Sequence, residues 1–417
     1  MRSRFARVGH DVVLCAGVLA LIQAGCASAQ PTEPPRYRVD YHVALDADGM
    51  ASVTLTVDQS GQQLRQLEFV MAQGRFTNFA SALPIERDGD RVRWQPDSSG
   101  GSISWQVNLN QQRQDGSVDA MVTQRWAVFR AEDAIPGIAS RSARGASADT
   151  TLRFELPTGW SIVTGYLGQD GEFDVDDANR RFDRPDGWIV AGALGVRHDL
   201  IANTRVAVAA PREQQARRLD VMAFMNWHLP YVRDVFPAFP DRILIAMADD
   251  PFFRGGLSAP NSLFLHTDRP LISGNGTSTL LHELIHIGLG RRAVKGEDWI
   301  IEGLAEFYSV ALMRRAGTIT PRREQSAFQS LQEWGESVRD LKATQSKGAR
   351  TARAVGVLAD VDAQIRAATN DRRSLDDVVR RLAASEEPLS LRELRIAVEA
   401  TAGQTSRALD DSRLPGY

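Results

Sequence analysis

A chain of 417 residues with 43% hydrophobic residues and a formal net charge of −3 has material for two domains, each with a core of its own. The balanced charge, without a Lys/Arg cluster, excludes composition-driven binding of nucleic acid or of an anionic membrane surface. Function therefore has to sit in a local constellation of side chains.

Residues 1–29 read as an export signal rather than as fold. Arg2, Arg4 and Arg7 form a positive n-region, and Val12 to Ile22 form an apolar stretch too short to span a membrane as a mature helix. Ala27-Ser28-Ala29 is a small-residue cleavage site ahead of Gln30. Ala24-Gly25-Cys26 offers a competing route, lipidation of Cys26 and membrane anchoring, although Gln23 stands where that motif usually has Leu. Either route predicts an exported protein: periplasmic, an outer-membrane lipoprotein, or secreted. Cys15 lies within the signal, so no disulfide is expected in the mature chain. Residues 30–36, rich in Pro, form an extended linker.

From 37 to 209 the pattern is β. Tyr37, Val39, Tyr41, Val43 and Leu45 alternate with polar residues, Asp48-Gly49 turns the chain into Val53–Val57, and Asp88-Gly89 marks a second hairpin before Val92 and Trp94. Further runs at 103–107, 152–156 and 188–190 complete the pattern of an antiparallel β-sandwich. The Ser/Ala/Gly/Arg-rich stretch from Arg141 to Asp149 reads as a loop. The tryptophans here suit a core, and no catalytic constellation stands out.

Near Pro211, a residue suited to a helix start, the pattern changes. Leu219, Val221, Met222 and Met225 suit a buried helical face, and Pro230 is expected to kink or end that helix. An apolar strand, Ile243–Met247, follows, then Arg254-Gly255-Gly256-Leu257-Ser258, then a Gly-bearing loop into an uninterrupted helical stretch. Within it lies His282-Glu283-Leu284-Ile285-His286. Positions four apart share a helix face, so two imidazoles can bind one Zn²⁺, and Glu283 can reach a water there as general base. The plainer alternative is a pair of polar residues on an ordinary amphipathic helix.

Downstream, Trp299-Ile300-Ile301-Glu302-Gly303-Leu304-Ala305-Glu306 opens a second helix that runs to a stop at Gly317. Glu302 supplies a third ligand, completing a His₂Glu set with one position left open. Glu306, one turn on, suits a hydrogen bond to a ligand imidazole; a solvated carboxylate is the alternative. Ser374 with Asp377 and Ser390 with Glu393 are helix-capping pairs.

H-E-x-x-H followed by W-x-x-E-G-x-A resembles the gluzincin zinc metallopeptidases, and the chain is most similar to the glycyl aminopeptidase family among them. Phe236–Pro240, the Gly255-Gly256 segment, Val361–Arg366 and Ser374–Arg380 extend the likeness over about residues 205–400, with no counterpart expected for that family's C-terminal extension. The resemblance implies an α+β protein of two domains, 37–209 a β-sandwich and 210–417 a thermolysin-like zinc peptidase domain with a mostly helical end. It implies Zn²⁺ as cofactor, a peptide or protein substrate, and Gly255, Gly256, Leu257 and Ser258 as a substrate-aligning edge strand. Two positions depart from the family. Ser258 stands where related aminopeptidases have a Glu for the substrate's free amine, and Arg353 stands at the position of an oxyanion-stabilising Tyr. Arg353 is then the candidate donor, with an ordinary surface Arg as the alternative. Three functions stay open: an exported zinc peptidase cleaving within chains, an aminopeptidase, and a non-catalytic zinc-bearing envelope protein that binds peptide.

Overall fold

The computed structural model describes residues 36–114, 116–176 and 182–417, so the expected export signal, Cys26 and residues 30–35 of the linker lie outside the described residues. No helix among the described residues is long and apolar enough to cross a membrane.

The first half is β, as its alternation predicted. In Arg36–Leu45 every second residue from Tyr37 to Leu45 is buried. Gly49, at φ 97°, turns this strand into Met50–Asp58, because only glycine adopts that backbone without strain. Gly89 (φ 58°) does the same between Ile85–Asp88 and Arg91–Trp94. Trp94, Trp105 and Trp188 are fully buried, in keeping with a core role.

Two expectations for this half need correction. The strands form seven-, four- and five-stranded sheets rather than a purely antiparallel sandwich, and Arg36–Leu45 runs parallel to Ser147–Glu155 within the largest. Those two strands are far apart in the chain, so no tight hairpin constrains their direction. The expected loop 141–149 is mostly strand: Gly137–Ser142 pairs with Leu64–Val70, and Ser147–Asp149 begins the parallel ladder. There, main-chain pairing with distant strands outweighs a turn-like composition.

The expected junction at 209/210 falls inside a strand, Thr204–Pro211. That strand pairs with Leu194–Ile201 on one side and Arg242–Ala248 on the other. Both N-terminal strands of this group thus belong to a second five-stranded sheet, in the order Leu194–Ile201, Thr204–Pro211, Arg242–Ala248, Ser262–His266, Gly256–Ala259. Pro211 ends a strand, and the helix starts only at Arg218. Pro230 lies inside that helix, which continues to Val235. Packing of Val221, Met222, Met225, Leu229 and Val232 in the core holds the helix through it, whereas Leu219 is exposed rather than buried. One face of the sheet lies under the helices. The other meets the first half through Trp126, Trp188, Phe252 and Phe264.

The two downstream segments that carried part of the resemblance brace the helix Trp299–Arg315. Asp376 accepts hydrogen bonds from the Tyr308 hydroxyl (2.9 Å) and from both Arg315 terminal nitrogens (2.8 Å each), while Asp362 accepts from the Leu375 amide at 2.7 Å. Burial alone would raise the Asp376 carboxyl, but the Arg315 guanidinium overrides it and holds it below the ordinary value. Asp376→Ala strands a largely buried Arg315, and we expect a loss of about 3 kcal/mol in urea unfolding, the lower end for a broken buried pair. A carboxyl depressed in the folded state stabilises fully above its unfolded value of about 4, and that stability is lost as pH falls through the folded value. Wild-type Tm should therefore drop more steeply below about pH 4 than that of Asp376→Asn.

Candidate metal centre

Thr279–Leu289 is helical because Leu280, Leu281, Leu284, Ile285 and Leu289 repeat on one face and are buried together. The Ser278 side chain caps it by accepting from the Leu281 amide, and Gly290 (φ 61°) ends it. His282 and His286 then project one turn apart on the same flank. The helix Trp299–Arg315 packs beside it and brings in Glu302 and Glu306. Gly303 lets this second helix lie close to Ala349–Thr369, since a Cβ there would sit 2.7 Å from the Ala354 methyl.

Three donors converge. His282 Nε2 and His286 Nε2 are 3.1 Å apart; His282 Nε2 lies 3.4 Å from Glu302 Oε2 and His286 Nε2 lies 3.4 Å from Glu302 Oε1. These three residues form the one cluster of His, Cys, Asp and Glu able to hold a metal among the described residues. Zinc bonds of 2.0–2.1 Å in a tetrahedron put ligand atoms about 3.3 Å apart. The three pairwise spacings, the two to Glu302 through different carboxylate oxygens, lie near that edge length, and one ligand atom from each residue falls within 4.8 Å of the others, so the donor set fits Zn²⁺. Glu306 accepts from His282 Nδ1 at 3.0 Å, which orients the ring and turns Nε2 toward the centre.

The electrostatics agree with a site built for a cation. Burial works against charge on His282, yet its bonds to Glu302 and Glu306 outweigh it and the imidazole is pushed up to about 10. Burial, and then the charge on His282, hold His286 below its ordinary value. Glu302 is raised by burial but held down overall by His282 and His286. Zinc held by these imidazoles would compete with protons for them.

Glu283, one position on from His282, turns toward the sheet. Its Oε2 accepts the Ser258 amide at 2.8 Å. Ser258 lies on Gly256–Ala259, the outermost strand of the second sheet, paired on one side only, with Ser262–His266. Leu257 and Ser258, with Gly256, thus form the expected edge strand, while Gly255 precedes it and accepts the His266 amide. A Cβ on Gly256 would lie 2.6 Å from Glu283 Cγ, so glycine is required for the strand to pass this side chain. Gly256→Ala should therefore displace Glu283. The expected outcome is a lower Tm in thermal unfolding, with zinc content unchanged by elemental analysis.

Trp188 is marked by the sequence only as core, yet it also supports this edge. Its indole N–H donates to the Leu257 carbonyl at 3.0 Å and so ties the edge strand to the first half. No spacing pattern could have revealed a pair so far apart in the chain. Arg353 lies on Ala349–Thr369 with its backbone against Gly335 and its Nε buried without a hydrogen-bond partner. No hydrogen bond or ion pair joins it to the centre among the described residues.

No protein-family model matches the chain, and no curated protein does. Solved structures do. An aminopeptidase N family protein from Idiomarina loihiensis superposes with a TM-score of 0.63 at 15% identity, covering 91% of this chain and 74% of that one. The M1 zinc metallopeptidase from Deinococcus radiodurans gives 0.60 at 14% identity over 92% of this chain and 94% of that one. Yeast LTA4 hydrolase in complex with bestatin gives 0.59 at 13% identity over 94% and 71%. The chain thus has the fold of two-domain M1 zinc metallopeptidases.

Proposed function

We propose that this chain is a zinc metallopeptidase that hydrolyses peptide bonds within chains. The observation that supports it most is the facing pair: a metal-fitting His282/His286/Glu302 triad beside a Glu283 carboxylate held against an open strand edge. Zinc held there supplies Lewis acidity, polarising a carbonyl and letting water react near neutral pH. The rest falls to the chain's own groups. An extended peptide pairs with the free edge of Gly256–Ala259, a β-augmentation that aligns its backbone. Substrate entering there takes the Ser258 amide from Glu283, whose carboxylate accepts the proton of the attacking water and passes it to the leaving amine.

Ser258 brings no carboxylate to the place where related aminopeptidases bind a free amine, which favours internal cleavage over the glycyl aminopeptidase reading. A mutant of the Deinococcus radiodurans enzyme has been solved bound to a Tyr-Ser-Ala substrate, and a peptide is the ligand class proposed for this chain as well. Export through residues 1–29, with cleavage before Gln30 or lipidation at Cys26, belongs to the same reading. The N-terminal residue of the mature protein, read by mass spectrometry, tests it; an intact Met1 on a cytosolic protein would overturn it.

The deciding experiment compares zinc-loaded protein on an internally quenched peptide blocked at both ends and on an alanine p-nitroanilide with a free amine. Cleavage of the blocked peptide alone supports the proposal. Release of p-nitroaniline alone moves the protein to the aminopeptidases. Zinc bound with neither substrate cleaved favours a peptide-binding envelope protein.

A further inference from the structure

The second sheet has two free edges. Gly256–Ala259 lies beside the metal centre, whereas Leu194–Ile201, at the opposite end of the sheet, pairs only with Thr204–Pro211. Arg197, His198, Asp199 and Leu200 on this second edge are all exposed. An open strand of that length is a ready template for another chain.

The hairpin decides which of its groups face outward. Ile201 and Thr204 flank a two-residue turn, Ala202-Asn203, with φ of 47° and 62°. Residues flanking such a turn exchange main-chain hydrogen bonds, and the pattern alternates from there. Residues 195, 197, 199 and 201 therefore bond to Thr204–Pro211, and the amides and carbonyls of 194, 196, 198 and 200 point to the open side. Side chains of the strand itself meet two of these outward groups. The Leu200 amide donates to Asp199 Oδ1 at 2.8 Å, and the Val196 carbonyl accepts from Arg197 Nη1 at 3.4 Å.

A helix follows the same margin. Arg218 lies against Gly195, where a Cβ would come 2.6 Å from the guanidinium carbon, and Asn226 donates to Asp199 Oδ2 at 3.1 Å. The helix Arg218–Val235 thus runs alongside the edge strand and in the same direction. Leu219, Ala223, Trp227 and Pro230 share the flank that carries Asn226, and all are exposed. Leu200, Leu219 and Trp227, at 66%, 64% and 63%, are the three most exposed large apolar side chains among the described residues. Their gathering on one margin marks an interaction surface.

The strand's own sequence selects the partner. We propose that two copies of this chain pair antiparallel through Leu194–Ile201, about a two-fold axis at His198, and so join their second sheets. An axis at 197 or 199 would also match outward groups, but it sets Arg197 opposite Arg197, or Asp199 opposite Asp199. The axis at 198 puts each Arg197 opposite Asp199 of the second copy, and each Val196 opposite Leu200. The local contacts then change hands. The Val196 carbonyl takes the Leu200 amide of the second copy, and the released Arg197 and Asp199 side chains pair across the axis. The exposed flanks of the two helices meet with Trp227 near the axis, because its neighbour Asn226 touches Asp199. The dimer leaves Gly256–Ala259 open and does not depend on the peptidase function.

The test is sedimentation equilibrium of the purified full chain over a dilution series, with circular dichroism to verify that each variant is folded. Wild type should dimerise. Arg197→Asp and Asp199→Arg each oppose like charges twice across the axis, so each should weaken self-association by about tenfold or more. Trp227→Lys should weaken it to a similar extent by placing a charge in the apolar contact. Mixing decides between this register and any other interface. Arg197→Asp chains and Asp199→Arg chains are poor partners for themselves, yet together they set opposite charges at both cross-strand pairs, so an equimolar mixture should form a heterodimer. A wild type that stays monomeric at every concentration overturns the proposal. So does a dimer that either charge reversal leaves intact, or a mixture of the two folded variants that forms no heterodimer.

Discussion

Replacing Glu283 by Gln is expected to abolish turnover while the protein keeps its zinc and its fold. The amide matches the carboxylate in size and can still accept the Ser258 N–H through its oxygen, so the contact that holds the side chain at 2.8 Å survives. It cannot take a proton from water. General acid–base catalysis is typically worth 10²–10⁴-fold, and in the proposed reaction the same group serves both attack and departure, so a loss of about 10³-fold or more is expected. Steady-state rates on the blocked peptide, zinc content by elemental analysis and Tm together check it. Retention of most activity would remove Glu283 from the chemistry. Loss of zinc alongside activity would mean that Glu283 shapes the metal site instead.

The second large effect separates Glu302 from Glu306, two carboxylates one helical turn apart. Glu302 faces both Nε2 atoms at 3.4 Å, whereas Glu306 reaches only Nδ1 of His282. Glu302→Ala deletes a donor and leaves two imidazoles, too few for the three protein ligands a catalytic zinc site uses. Glu306→Ala frees the His282 ring to turn while every donor remains, a change that ordinarily costs about 10–100-fold in metal affinity. Competition against a zinc chelator should rank wild type above Glu306→Ala and Glu306→Ala well above Glu302→Ala. Equal affinities for the two variants would contradict the assignment of Glu302 as ligand.

Much of this was legible in the chain itself, and the reason is locality. His282, Glu283 and His286 lie within five consecutive residues, so helical periodicity alone determines that both imidazoles share a face. Glu302 and Glu306 follow on the next helix by the same rule. The hairpins at Gly49 and Gly89 depend only on a backbone that glycine tolerates. What tertiary structure decided is everything carried by pairing over long separations. It placed the sheet boundary before Leu194 rather than after Ala209, because strand pairing is a contact between distant segments that local pattern does not record. It turned Pro211 from a helix start into a strand end. It showed why position 256 must be glycine, through a clash with a residue on another element, and why 303 must be, through a neighbouring helix. It also brought the Ser346 amide against Asp298, just ahead of the helix that carries Glu302, a contact that exists only once the chain has folded.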